Sequence, residues 1–328
     1  KREEATLCIV GCMAAYRRQA FKEYGVDFVL DNFTKFSLPK LLEKSIGNIP
    51  YEQTITKDRL FAVKPSAIES AANAEDYGFP LQYGEGKGRK MLPIMHGCNN
   101  FCSYCIVPYL RGREVSRDPL SIIDEIARAD RTGLKELVLL GQNVNSYFWK
   151  KGDKCHNFVS LLRRITRETK VPWIRFLTSH PKDISSDLID FLSEEPKICN
   201  HIHLPVQHGS NRILEKMNRQ YSREHILFLI EKLRKHTPDI AITTDILIGF
   251  PGEEETDFKE TLELISSVEF DNAFTYYYNP REGTKAYSMP DHLTEDIKKR
   301  RLAEIIDLQR KISRKKKEKR LGKTTLAL

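Results

Sequence analysis

The sequence predicts an α/β protein built around a parallel β-sheet, and three observations support this. Six apolar, strand-like runs recur between residues 91 and 278, and amphipathic helical stretches separate them. Single strands that alternate with helices indicate parallel strands joined by right-handed crossovers. The chain has 328 residues, of which 40% are hydrophobic, and this is enough for a large core. A barrel or partial barrel fits the pattern, and a flat doubly wound sheet also remains possible.

The alternation can be placed along the chain from residue 91 onward. The first helix has a clear start signal, because Asp118 can cap it and Pro119 suits the first helical position. Gly133 follows its end. The predicted strands are residues 91–95, 137–140, 173–177, 201–206, 240–248 and 273–278, and the predicted helices are residues 119–131, 158–169, 187–193, 222–236 and 255–268.

The residues before this region predict a fragment of a second, open α/β domain. Strands are expected at 7–10 and 26–30, with helices at 13–24 and 38–45. Residues 51–90 have weak periodicity and suit a linker. The first strand begins almost at residue 1, and a strand-like run begins at Thr324. We therefore expect further sequence on both sides.

Composition excludes several classes of protein. No apolar run approaches the ~18 residues that would cross a bilayer, and the Lys-Arg-Glu-Glu start does not resemble a signal peptide. We therefore expect a cytoplasmic protein with no membrane contact. In that compartment seven cysteines favour metal binding or catalysis over disulfides.

The positive charge is concentrated at the carboxyl end. Residues 298–323 hold thirteen Lys and Arg against three Asp and Glu, a balance of +10, whereas the whole chain carries +8. A long helix with a partly apolar face is expected over residues 294–321. A patch that holds the whole basic excess favours an anionic partner, with nucleic acid first, over a merely solvated face.

Three cysteines follow the first strand of the regular region. Cys98, Cys102 and Cys105 have C-x3-C-x2-C spacing, so three thiolates can converge on one metal centre. Soft sulfur ligands select an iron–sulfur cluster or zinc. Zinc would normally need a fourth protein ligand, for which His96 is the local candidate. Three buried cysteines without a metal are the remaining alternative.

The spacing, with Tyr104 before the last cysteine, resembles the radical S-adenosylmethionine superfamily. Further motifs resemble the methylthiotransferases within it, and the Gln-Asn-Val-Asn form resembles their tRNA-modifying, MiaB-type branch. The matching motifs lie at residues 97–99, 106–117, 140–147, 178–181, 203–210 and 245–253.

This resemblance implies a partial (β/α)6, TIM-like barrel that holds a [4Fe–4S] cluster on Cys98, Cys102 and Cys105, with S-adenosylmethionine on the open iron. Tyr104 would lie near the adenine of that cofactor. The other residues expected to contact the cofactor share one position, directly after a strand; they are Gly141, Gln142, Asn143, Ser179, His180 and Gln207.

The resemblance also implies a second, auxiliary [4Fe–4S] cluster in the amino-terminal domain. Cys12 lies in a Gly-Cys-Met-Ala motif that matches the last of the family's three ligands, and the first two would precede residue 1. Cys8, Cys155 and Cys199 match no ligand position and are expected to be structural. The histidines at 201, 203 and 208 are explained by strand alternation and the family motif without a metal.

The implied organisation is a truncated methylthiotransferase domain (1–50), a linker (51–90), a radical S-adenosylmethionine domain (91–293), and a basic helix leading into a truncated TRAM-like β-barrel (294–328). The implied activity is methylthio transfer to carbon 2 of an N6-isopentenyl-type adenosine in the tRNA anticodon stem-loop, with a flavodoxin- or ferredoxin-type electron donor. The alternatives are the sibling activity on a ribosomal protein or on a threonylcarbamoyl-type adenosine, and a non-catalytic, zinc-dependent RNA-binding protein.

Overall fold

The computed structural model describes residues 6–32, 34–35, 38, 41–42, 88–131 and 133–324. The chain divides into two compact units. The first comprises Lys1–Pro80, His96–Asn99 and Ile106–Val115. The second comprises Leu81–Met95, Asn100–Cys105 and Ser116–Leu328. Most of the predicted linker, the helix expected at 38–45 and the last four residues lie largely outside the described part of the chain.

Strands and helices alternate along the described residues. The strands are β1 (Cys8–Val10), β2 (Phe28–Leu30), β3 (Arg89–Pro93), β4 (Met95–His96), β5 (Val115–Ser116), β6 (Glu136–Leu140), β7 (Phe148–Lys151), β8 (Lys154–Asn157), β9 (Trp173–Phe176), β10 (His201–His203), β11 (Ala241–Ile248) and β12 (Asn272–Tyr277). The helices are α1 (Cys12–Tyr16), α2 (Arg18–Glu23), α3 (Val107–Arg111), α4 (Pro119–Asp130), α5 (Phe158–Glu168), α6 (Ser186–Glu194), α7 (Asn211–Lys216), α8 (Arg223–His236), α9 (Glu255–Val268) and α10 (Glu295–Glu318).

In the first unit β1 and β2 pair in parallel. Gly11, with φ of 105°, joins β1 to α1 in a backbone conformation that favours glycine. The single helix predicted over 13–24 is in fact two helices, because α1 ends at Tyr16 with Arg17 as its C-cap and α2 starts at Arg18. The small core of this unit is formed by Phe28, Leu30 and Leu41.

The second unit contains the parallel strands of a partial barrel. They form two three-stranded groups, in the orders β3-β6-β9 and β10-β11-β12, with every neighbour parallel. A parallel bridge between Ile174 and Ile198 connects the region of β9 to the segment before β10. The α/β fold with a partial barrel, predicted from the alternation and the resemblance, is confirmed.

The barrel core lies between the strands and the helices that cover them. Its members are fully buried apolar side chains such as Leu137 on β6, Ile174 on β9 and Ile246 on β11, together with Leu161 and Leu264 from the helices. Burying each side chain of this kind contributes about 1.5–3 kcal/mol. None of the helices in the described residues is long and apolar enough to cross a membrane.

Most strand and helix limits agree with the prediction. The single strand expected over 91–95 is instead two strands, because β3 pairs with β6 and ends at Pro93, whereas β4 pairs with β5. The strand expected to continue to Val206 ends at His203, and Pro205 provides no N–H for a ladder. The short helix α7 and the β7–β8 hairpin were not predicted, because each is too brief to show a period.

Candidate active site

The cysteine loop follows β4, and its three thiols differ in burial. Cys98, in the first unit, is half-buried and its N–H donates to the Gly112 carbonyl at 3.1 Å. In the second unit, Cys102 is buried and Cys105 is half-buried, and the Cys105 N–H donates to the Cys102 carbonyl at 2.9 Å. In the described residues no group of three or more His, Cys, Asp or Glu side chains is arranged as a metal site.

A glycine at the start of this loop is required by a close approach within the first unit. Gly97 has a φ of 76°, and a Cβ built on it would overlap the carbonyl of Arg113. Any larger residue would therefore displace the backbone directly before Cys98.

Arg219, which the sequence analysis did not identify, lies against Cys102. Its Nη1 donates to the Cys102 sulfur at 3.1 Å and to the Tyr104 hydroxyl at 3.4 Å, and its Nη2 donates to the Pro205 carbonyl at 2.8 Å. Its Nε donates to the Tyr221 hydroxyl at 2.7 Å. This buried guanidinium places a permanent positive charge beside a sulfur of the cysteine loop. Burial raises the pKa of Tyr104 well above its usual value, and Arg219 opposes this only in part.

The predicted cofactor contacts after β6 and β9 are joined to each other. The His180 N–H donates to the side-chain oxygens of both Asn143 and Asn145 at 3.0 Å. The Asn143 amide donates to Asp183 at 2.8 Å. Gly141 leaves no room for a side chain, since a Cβ would lie 2.5 Å from the Met95 Cγ. The two strand ends are therefore held as one polar surface.

Three polar atoms on this surface are buried and have no hydrogen-bond partner in the described part of the chain. They are Gln142 Oε1, Ser179 Oγ and His180 Nε2. A buried polar group without a partner costs about 1–3 kcal/mol. Since all three follow neighbouring strands, a polar ligand bound there would satisfy them together.

His180 is held neutral. Burial, followed by the charges of Arg219 and Lys182, lowers its pKa to about 2. Its Nδ1 accepts from the Lys182 N–H at 3.4 Å, which leaves the proton on Nε2. The unpartnered Nε2 is therefore a hydrogen-bond donor.

Gln207, the predicted contact after β10, has an unusual backbone. Its φ is 69°, in the left-handed region, and Thr178 after β9 has a φ of 67°. Such conformations cost about 1–3 kcal/mol in a residue other than glycine and gather at functional sites. The Gln207 N–H donates to the Asp245 carbonyl at 2.8 Å, which ties this residue to β11.

The turn after β11 is held by a buried ionic group. Glu253 accepts from the Gly249 N–H at 2.5 Å and from the Phe250 N–H at 3.2 Å. Its other oxygen accepts from Arg301 of α10 at 2.6 Å, and His208 lies 3.3 Å away. The sequence motif contained Glu253, but its partner Arg301 lies 48 residues further along and gives no local signal.

Cys12 in the first unit has its own cationic surroundings. Its sulfur accepts from the Asn32 amide at 3.1 Å and from Arg111 Nε at 3.3 Å. Burial alone would raise the pKa of this thiol, but these two hydrogen bonds and the charges of Arg111 and Lys35 outweigh it, so the pKa lies below its usual value. A lowered pKa suits a metal ligand.

The three neighbouring histidines do not form a metal site. His201 and His203 both contact the Thr243 hydroxyl at 3.0 Å. His208 instead contacts Glu253. His201 and His203 lie two residues apart on β10 and share a face, whereas His208 lies after that strand.

Comparison with known proteins identifies the family of this chain. The radical SAM superfamily profile matches residues 92–265. The tRNA-2-methylthio-N(6)-dimethylallyladenosine synthase of Treponema denticola is 44% identical over 333 residues, covering 98% of this chain and 72% of that protein. The protein of the same name from Moorella thermoacetica is 52% identical over 231 residues, covering 70% of this chain and 52% of that protein.

Solved structures show the same fold at low identity. The radical S-adenosylmethionine methyltransferase TsrM from Kitasatospora setae, solved with cobalamin and a [4Fe-4S] cluster, has a TM-score of 0.65 and 16% identity over 87% of this chain and 59% of that one. Coproporphyrinogen III oxidase from Escherichia coli has a TM-score of 0.52 and 17% identity over 71% of this chain and 54% of that one. With three thiols of the expected spacing and these matches, the chain belongs to the radical SAM superfamily and, within it, to the tRNA-2-methylthio-N(6)-dimethylallyladenosine synthases.

Proposed function

We propose that this chain adds a methylthio group to carbon 2 of an N6-isopentenyl-type adenosine beside the tRNA anticodon. The observation that supports this most is the loop of Cys98, Cys102 and Cys105, followed at the strand ends by Gln142, Ser179 and His180 with buried polar atoms that lack partners. A radical SAM enzyme of this family uses [4Fe–4S] clusters and S-adenosylmethionine.

The side chains present fit those cofactors. Three thiols within eight residues are the donor set that an iron–sulfur cluster requires. When bound, the cluster supplies the electron for reductive cleavage of S-adenosylmethionine. The Arg219 guanidinium offsets the charge of the Cys102 thiolate, and four neutral or anionic acceptors keep that guanidinium in place.

The strand-end residues suit the amino-acid end of S-adenosylmethionine. His180 offers an Nε2–H donor and the Ser179 hydroxyl a second donor, which match the carboxylate of the cofactor. Gln142 Oε1 is an acceptor for its amino group. Gln207, Gly141 and Asn143 shape the backbone around these groups, and Tyr104 provides a ring for the adenine.

Cys12 is proposed as a ligand of the auxiliary cluster. Asn32 and Arg111 stabilise its thiolate, and this is the state in which a cysteine binds iron. The domain limits at residues 50, 90 and 293 are part of the same proposal.

The basic helix α10 is proposed to contact tRNA phosphates, but not with all of its cations. Lys315 pairs with Glu269 at 2.9 Å, Lys316 pairs with Asp271 at 2.8 Å and Arg314 pairs with Glu318 at 2.9 Å, so acidic groups of the protein partly compensate these charges, and the choice among the cations rests on the groove that they line. A groove of about 560 Å³ lies between α10 and β12, and three cations of α10 line it: Arg310, Arg314 and Lys317. Their charges would position the RNA and supply affinity without reading sequence.

The remaining partners follow from the reaction. Cleavage of S-adenosylmethionine consumes an electron, which a flavodoxin- or ferredoxin-type protein would deliver. Because tRNA is the substrate, the enzyme would act in the cytoplasm.

The activity is tested by complementation. A bacterium that lacks 2-methylthio-N6-isopentenyladenosine should regain it in its tRNA when the full-length protein is expressed, and nucleoside mass spectrometry measures this. Two results would contradict the proposal. One is the appearance of a 2-methylthio derivative of threonylcarbamoyladenosine instead, and the other is no methylthio nucleoside in the tRNA at all.

The RNA interaction is tested by the salt dependence of binding. Replacing Arg310, Arg314 and Lys317 with Gln should reduce the log–log salt slope of anticodon stem-loop binding by roughly 0.7–0.9 for each phosphate that the variant no longer neutralises. A control triple variant removes three exposed cations outside α10: Arg128, Lys135 and Lys170. Equal slopes in the two triple variants would exclude this groove as the phosphate-binding surface.

A further inference from the structure

One face of the β10–β12 group carries mostly polar and aromatic side chains. The register pairs His203 with Thr243, Asp245 with Phe274, and Leu247 with Tyr276, so these residues share a face. Residues of the opposite face, such as Ile242, Ile246 and Ile248, are fully buried. Because α10 packs against β11 and β12, the buried face lies on the helix side and the mixed face lines the interior of the partial barrel.

Two aromatic rings on this interior face are unusually exposed. Phe274 is 51% exposed and Tyr276 is 54% exposed. They lie two residues apart on β12, about 6–7 Å along the strand, and therefore side by side. Single exposed apolar residues are common, but two adjacent rings on a concave, polar-lined face indicate a surface that a flat, partly apolar ligand covers.

The same face offers a carboxylate beside the rings. Asp245 is opposite Phe274 in the register, and its Oδ1 lies 3.4 Å from His203 Nε2. The Phe274 and His203 rings meet edge to face, with centroids 5.9 Å apart and planes at 73°. His203 is fixed in turn by the Thr243 hydroxyl at 3.0 Å from its Nδ1. The carboxylate is thus oriented and keeps further lone pairs for a ligand donor.

This face is continuous with the proposed cofactor contacts. The Asp245 carbonyl accepts from the Gln207 N–H at 2.8 Å, and the Gln207 carbonyl accepts from the Leu247 N–H at 2.8 Å. A ligand on the rings would therefore lie next to the residue expected to contact S-adenosylmethionine.

We propose that Phe274, Tyr276 and Asp245 form the subsite for the nucleobase of the substrate, an inference that rests on the proposed function. The rings stack against the purine and its apolar N6 substituent, since every base presents a π-face to an aromatic side chain. The Asp245 carboxylate accepts the N6–H, which is the donor that an N6-monosubstituted adenine retains. Phosphate contacts fix the RNA elsewhere, and this subsite selects the base.

The rings are tested with the full-length holoenzyme and an anticodon stem-loop that carries N6-isopentenyladenosine. Phe274→Ala and Tyr276→Ala should each raise the KM and the Kd for this RNA by roughly 5- to 150-fold, the range measured for loss of one stacked aromatic. Tyr276→Phe keeps the ring and should raise the KM far less than Tyr276→Ala does. Phe228 on α8, which is 60% exposed, supplies the control variant Phe228→Ala, and its KM should not change.

The carboxylate is tested with a second RNA in which N6,N6-dimethyladenosine replaces the target and removes the N6–H. Wild-type enzyme should bind this RNA more weakly than its N6-monomethyl counterpart, and Asp245→Ala should bind the two equally. If wild-type enzyme forms no methylthio product, the proposed function fails. If it forms product while Phe274→Ala and Tyr276→Ala behave as Phe228→Ala does, or while Asp245→Ala still discriminates, the subsite is wrong and the proposed function stands.

Discussion

The two units each combine a cysteine, an arginine and a buried neutral histidine, but they do so in different ways. In the first unit Arg111 donates to Cys12 at 3.3 Å, and burial followed by the charges of Arg111 and Lys35 lowers the pKa of His96 to about 3. In the second unit Arg219 donates to Cys102 at 3.1 Å, and burial followed by Arg219 and Lys182 lowers the pKa of His180 to about 2.

The difference lies in what else holds each arginine. Arg219 is buried and is also fixed by Tyr104, Tyr221 and the Pro205 carbonyl. Arg111 ends the five-residue helix α3, and Cys12 has a second donor in Asn32. In the second unit the arginine beside the cysteine is therefore buried and held by several groups. In the first unit an arginine and an amide both donate to the Cys12 sulfur.

The largest effect is expected from Cys102→Ala. It removes one of the three proposed ligands, so cleavage of S-adenosylmethionine should fall to background. Anaerobic reconstitution followed by measurement of 5′-deoxyadenosine and iron content checks this. Cys155→Ala changes an exposed cysteine of the same unit and should retain the wild-type cleavage and iron content. Wild-type cleavage by the Cys102 variant would remove the basis for the cluster assignment.

Removal of each arginine should have unequal effects on stability. Arg219→Met leaves buried acceptors without a donor, which should cost roughly 1–3 kcal/mol of unfolding free energy. Arg111→Met leaves Asn32 to donate to Cys12 and should cost less. Urea midpoints of the cluster-free proteins measure this, with Arg128→Met as an exposed control. Equal midpoints for the Arg219 and Arg111 variants would contradict the difference between the two arginines.

Sequence could predict the scaffold but not these partners. Helix α4 begins at Pro119 with the Asp118 carboxylate accepting from the Leu120 N–H as its cap, and α9 spans Glu255–Val268, both as local signals indicate. Arg219, however, is 117 residues from Cys102, and Arg111 is 99 residues from Cys12. The positions of the cysteines can be predicted from their spacing along the chain. The arginines that contact them are distant in sequence and could not be predicted in this way.

A pH dependence of stability is also expected, and it belongs to His180. Its folded pKa of about 2 lies below the value of about 6.5 expected in the unfolded chain, so the unfolded state binds more protons between these values. The stability is complete above pH 6.5 and is lost as pH falls, by up to about 1.4 kcal/mol per pH unit. His180→Gln should show a shallower decline of the urea midpoint between pH 6.5 and 4.5. A decline as steep as that of the wild-type protein would assign the acid sensitivity to other groups.

The measurement that tests the account most directly counts two products from one reaction of full-length Cys12→Ala with tRNA. Cys12 is proposed to serve the auxiliary cluster and Cys102 the cluster that cleaves S-adenosylmethionine. The Cys12 variant should therefore form 5′-deoxyadenosine but no methylthio nucleoside, whereas Cys102→Ala should form neither. A Cys12 variant that methylthiolates tRNA at the wild-type rate, or one that loses 5′-deoxyadenosine as completely as Cys102→Ala does, would contradict the separation of the two sulfur sites.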